Sequence, residues 1–193
     1  MPNSPLARAG AARSRRDLAA RGFSLIEIMV VVAIIALVAA AVLPQVTYLA
    51  GVQMKSSART IAGAVRITYA TAVTSRNYYR IVFDLNEHSY RVEKKSGNQY
   101  VLADEPLLQG QTLPDSVYFK RVEVAGQTCV SDANCTATIY FTPGGYVEEA
   151  AIYIATTDDA LAISVFTRPM TGKSVILLGD VPFDQYKEME EEK

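Results

Sequence analysis

The hydrophobic pattern divides the chain sharply. From Phe23 to Leu43 there are 21 residues of which only Glu27 is charged. At 1.5 Å per residue this run reaches roughly 31 Å as a helix, the thickness of a bilayer core. Residues 44–77 change to an amphipathic pattern. Val46, Leu49, Val52 or Met54, Ser57/Ala58, Ile61, Ala64/Val65, Thr68 and Ala72 recur at three- and four-residue steps, the spacing of one helix face. Together the two stretches predict a helix of about 80 Å. Pro44 is the expected kink, because proline lacks the amide donor and crowds the preceding turn. Gly51 and Gly63 loosen the helix or admit a close backbone.

After Asn77 the period falls to two. Strands are predicted at Tyr78–Asp84, His88–Lys94, Gln99–Ala103, Val117–Ala125, Ala137–Thr142, Glu149–Thr156, Leu161–Thr167 and Lys173–Leu178. Turns fall at Leu85-Asn86-Glu87, Ser96-Gly97-Asn98, Pro143-Gly144-Gly145, Thr157-Asp158-Asp159 and Met170-Thr171-Gly172, and 104–116 reads as a loop. Strands without intervening helices imply antiparallel pairing. The expected class is α+β: a long N-terminal helix packed on antiparallel sheet of seven or eight short strands. Residues 78–180 form the β-rich domain and 181–193 an acidic, frayed tail.

Charge adds a direction. Ahead of the apolar run stand Arg8, Arg13, Arg15, Arg16 and Arg21 against Asp17 alone. The positive-inside rule keeps this leader cytoplasmic and exports everything after Leu43. A carboxylate within such a run costs about 2.5–3.5 kcal/mol on insertion scales unless it finds a partner, so Glu27 reads as functional. An ordinary secretory signal cut at Ala39-Ala40-Ala41 fits less well, since its core would be too long and would hold a Glu. A plain anchor leaves Glu27 unpaired.

Arg21-Gly22-Phe23-Ser24-Leu25-Ile26-Glu27-Ile28-Met29 resembles the class III signal of type IV pilins and type II secretion pseudopilins. The resemblance implies that residues 1–22 are a leader removed by a membrane peptidase and methyltransferase. Cleavage then falls between Gly22 and Phe23, Phe23 becomes the N-methylated first residue, and Glu27 is the assembly charge. The order of elements, with Tyr79–Asp84, Phe141–Tyr146 and Arg168–Lys173, is similar to the H-type minor pseudopilins (the GspH/FimT family). Implied partners are other pseudopilins or pilins of a fibre, the peptidase and the inner-membrane assembly platform. The implied location is the inner membrane, single-pass, with a periplasmic C-terminal domain. The expected role is a structural minor pseudopilin of type II secretion. The alternative is a minor pilin priming a type IV pilus, and a third reading is a DNA-uptake minor pilin.

The remaining chemistry is sparse. The chain has 19 Lys+Arg and 20 Asp+Glu; without the leader, 14 basic and 19 acidic residues remain, a formal charge of −5. That disfavours nucleic acid, as do Asp180, Asp184, Glu188 and Glu190–Glu192 after Arg168 and Lys173. Arg91, Lys94 and Lys95 cluster, with Glu93 among them. Cys129 and Cys135 read as a disulfide closing a small loop in an oxidising compartment. No metal set and no cofactor is expected: His88 is the single His, and Asp132 and Asn134 lack the acidic series of a calcium loop. Asp158-Asp159 reads as a solvated hairpin tip. Nothing in the pattern reads as an enzyme.

Overall fold

The computed structural model describes residues 23–191, without the side chains of residues 40–48 and 132. The leader, including Gly22, and the last two residues lie outside the described residues, as does the side chain of Pro44. The chain divides into two compact units between Val42 and Leu43. Helix α1 spans Leu25–Ser75, and its assignment runs unbroken through Pro44. One missing donor need not end a helix this long.

In the first unit every residue from Phe23 to Ala39 is exposed, so the helix is apolar on all sides. A helix of that kind needs an apolar environment around its whole circumference. Among the described residues, no helix is long and apolar enough to cross a membrane. The part of the apolar run with described side chains, 23–39, falls short of the ~20 residues a span requires.

In the second unit α1 buries one stripe: Met54, Ser57, Ala58, Ile61, Val65, Thr68 and Ala72. Leu49, expected on that stripe, is instead 56% exposed, and of the alternatives Val52 and Met54 it is Met54 that is buried. The burial begins at Gly51, where an added Cβ would meet Leu161 Cδ1 at 3.2 Å. The helix ends at Ser75 because Arg76 takes φ 54° and Asn77 N donates back to Ala72 O, a left-handed C-terminal cap.

Ten strands follow among the described residues: β1 (Tyr79–Asp84), β2 (Ser89–Ser96), β3 (Gln99–Leu102), β4 (Gln111–Thr112), β5 (Val117–Val124), β6 (Gln127–Val130), β7 (Thr136–Phe141), β8 (Ala150–Thr156), β9 (Ala162–Thr167) and β10 (Ser174–Leu178). They form two five-stranded antiparallel sheets. The first has order β3-β2-β1-β7 with β4 also on β2; the second is β10-β9-β8-β5-β6. All eight anticipated strands are present. β4 interrupts the expected loop 104–116, where a 3-10 turn at Pro106–Leu108 also forms. Gly110 permits this: a Cβ there would lie 2.1 Å from Tyr90 O. β6 arises because Ala125 and Gly126 both take positive φ, 49° and 80°, the backbone of a two-residue hairpin.

One core joins both sheets and α1. Ile81, Phe83, Ile139 and Phe141 face Phe119, Val122, Ile152, Ile154 and Val165, with Phe83 and Phe119 edge to face at 5.5 Å. β8 is buried at all seven positions, which requires cover on its second face. That cover corrects the expectation of a frayed tail: Phe183–Glu191 is a helix, α2. Its Tyr186 is 6% exposed and gathers with Ala151, Tyr153 and Phe166 in a second cluster. The Tyr186 and Phe166 rings stack at 4.1 Å. Lys187–Glu149 and Arg168–Glu190 pairs flank them.

Candidate assembly site

The motif residues that the structure describes sit at the head of α1. Ser24 O accepts from Glu27 N at 3.0 Å and from Ile28 N at 3.2 Å, opening the first turn. Glu27 lies in that turn, where the positive end of the helix dipole favours a carboxylate. Phe23 and Leu25 are each 78% exposed. The site is therefore one carboxylate, four residues after Phe23, on an apolar cylinder whose surface has no partner among the described residues. Among the described residues nothing covers this surface, and apolar groups together with a cation for Glu27 would complete it.

The cysteines belong to the second unit. Cys129 and Cys135 are disulfide-bonded, with Cα atoms 6.0 Å apart. Cys129 lies in β6 and Cys135 immediately precedes β7, so the bridge ties an edge of one sheet to an edge of the other.

Several charged groups of the second unit pair with each other. Glu93, 8% exposed, accepts from Arg80 Nε at 2.6 Å and Arg91 Nε at 2.8 Å. Burial alone would raise its pKa, but the Arg91 and Arg80 hydrogen bonds outweigh it and hold the carboxyl below its usual range. Asp180 is likewise lowered, by Arg121 against some burial and with help from Lys120. Arg121 lies 3.6 Å over the Tyr153 ring. Lys94 pairs with Asp104. Arg168 is held by Glu190 and lies 3.3 Å from Tyr186 Oη. Thus Arg91, Lys94 and Arg168 are committed to carboxylates within the chain.

The Asp158-Asp159 tip is also occupied. Asp158 accepts from Thr156 Oγ1 and Ala160 N, and these bonds lower its pKa. Asp159 accepts from Tyr118 Oη at 2.7 Å. His88, at φ 46° in the β1–β2 turn, sits edge to face with Tyr118. Asn134 accepts from Asn86 Nδ2. Among the described residues no cluster of three or more His, Cys, Asp or Glu gathers to hold a metal. The Phe166–Tyr186 stack and the Arg121–Asp180 pair were not legible in the sequence; Tyr186 within an acidic, low-hydropathy tail was the only available signal.

Residues 18–43 match the family described as the prokaryotic N-terminal methylation motif. No curated protein matches the chain. Two solved structures of the minor pseudopilin EpsH from the type II secretion system of Vibrio cholerae share its fold. One has TM-score 0.53 at 12% identity, covering 65% of this chain and 97% of the other. The second has TM-score 0.54 at 13% identity, covering 67% and 97%. The chain thus joins a prokaryotic N-terminal methylation motif to the fold of a minor pseudopilin, and its similarity is to the H-type minor pseudopilins.

Proposed function

We propose that this chain is a structural minor pseudopilin of a type II secretion system. In this reading the leader is cut after Gly22, Phe23 is N-methylated, and 23–43 spans the inner membrane until the subunit is drawn into a periplasmic fibre. The observation that carries the reading is Glu27, four residues past the junction on a helix apolar on every side. Within a bundle of such helices an isolated charge is costly. The Phe23 ammonium of a neighbouring subunit supplies the missing cation, so the pair forms only when subunits are correctly stacked. The exported domain then acts as a binding module for other fibre subunits, not as a catalyst.

The EpsH-like fold fits the secretion branch, and a surface pilus is the competing assignment. Deleting the gene tests this directly: folded cargo should accumulate in the periplasm while twitching and surface pili persist. Loss of pili with secretion intact would assign the chain to pilus priming instead.

A further inference from the structure

We propose that the free edge of β10, with the hollow between it and α1, takes up an extended segment of another chain whose centre is apolar and whose two ends carry carboxylates. The proposal holds whichever fibre the chain serves, because it rests on the exported domain alone.

β10 pairs only with β9, so its other edge is open. Lys173 O accepts from Arg168 N, and Gly179 N donates to Ala162 O. Strand alternation then turns the N–H and C=O groups of Val175 and Leu177 toward β9 and those of Ser174, Ile176 and Leu178 outward. The strand has neither charge nor proline to blunt that edge, which is how native proteins close such sites. Its outward residues also leave apolar surface uncovered: Leu178 is 72% exposed.

Beside this edge run two hollows along a single stripe of α1. One, about 410 Å³, is lined by Gly51, Val52, Lys55, Leu161 and Leu178. The other, about 350 Å³, is lined by Ala62, Gly63, Arg66, Lys173 and Ser174. The hydroxyl of Ser174 is buried there without a hydrogen-bond partner. No ion pair among the described residues uses Lys55, Arg66 or Lys173, and α1 has no acidic residue after Glu27. Lys55 and Arg66 are about 16 Å apart along the helix; five strand residues cover about 17 Å. Cations therefore stand at both ends of a site one strand long. An added strand would use the outward backbone groups for affinity and the hollow for side-chain selection, the usual division in β-augmentation.

The test uses the full mature chain in detergent micelles and a fluorescein-labelled nine-residue probe, Asp-Glu-Val-Thr-Val-Thr-Val-Glu-Asp. Two comparison probes replace the four acids by Lys or N-methylate alternate amides. By fluorescence anisotropy at physiological salt, the acidic probe should bind at least tenfold tighter than either. Ile176→Pro removes one outward donor and no β9 bond, and should weaken binding tenfold or more with the melting temperature retained. The Arg66→Glu/Lys173→Glu double variant should do the same while gaining affinity for the Lys probe. If Ile176→Pro disturbs the sheet, Leu178→Asn probes the same edge and should weaken binding severalfold. No binding, equal affinity for acidic and Lys probes, or variants that bind like the parent would overturn the proposal. So would self-association of the chain that Ile176→Pro abolishes, which would give the edge to a second copy.

Discussion

Truncating Tyr186 should release α2 without unfolding the sheets beneath it. A tyrosine buries about 150–250 Å², worth about 4–6 kcal/mol at ~25 cal/mol/Å². That is an upper bound, because the unfolded chain already hides part of the surface; measured aromatic-to-alanine losses of about 3–5 kcal/mol are the better guide. What else holds α2 is weaker. Phe183 is only partly buried, and the Arg168–Glu190 and Lys187–Glu149 pairs are exposed, each worth about 0–1 kcal/mol. A nine-residue helix does not persist alone in water. Tyr186→Ala should therefore cost α2 its docking, while Tyr186→Phe, which keeps the stack and loses one long Arg168 bond, should change little. Hydrogen exchange read by mass spectrometry on the mature chain in detergent micelles separates these outcomes. Protection across 183–191 should fall at least about a hundredfold in Tyr186→Ala, since 1.4 kcal/mol is a factor of ten, with β5 and β7 unchanged. Unaltered protection of 183–191 would refute the argument that ring burial holds the helix.

Acid should destabilise the domain. Glu93 and Asp180 have pKa values lowered by their arginine partners, so their contribution is complete above the unfolded carboxyl range near pH 4 and disappears as pH falls through the folded values. Melting temperature should accordingly drop below about pH 4, and the drop should be smaller in Glu93→Gln, which is itself less stable at neutral pH. Reduction of Cys129–Cys135, at sequence separation 6, should cost on the order of 2 kcal/mol on a loop-entropy estimate; denaturant titration with and without reductant measures it. Glu27→Leu should insert into the membrane at least as well as the parent and incorporate poorly into fibres. Normal incorporation by co-purification would show the charge pair to be dispensable.

The parts that could be read from sequence are those governed by local periodicity. The α1 stripe from Met54 to Ala72 and eight strands follow from side-chain spacing, and the N-terminal motif follows from adjacent residues. The elements that were missed depend on contacts distant in sequence. β4 is two residues long and exists because Gly110 lets the chain approach Tyr90. β6 needed Ala125, a residue with no preference for positive φ, to accompany Gly126. α2 looked like a solvated tail because its charges dominate its composition, whereas Tyr186 and Phe183 find Phe166 on a strand some twenty residues earlier. The exposure of Leu49 shows the reverse limit: apolar spacing marks a face without saying where its cover ends.

The central claim is that this chain is a processed, methylated fibre subunit, and the mass of its mature N-terminus tests that most directly. Protein extracted from membranes should have the intact mass of a chain beginning at Phe23 plus one methyl group, with tandem fragmentation placing the methyl on the Phe23 nitrogen. Gly22→Val should instead accumulate the precursor. A mature chain beginning after Ala41, or a parent chain that keeps its leader, would contradict the account.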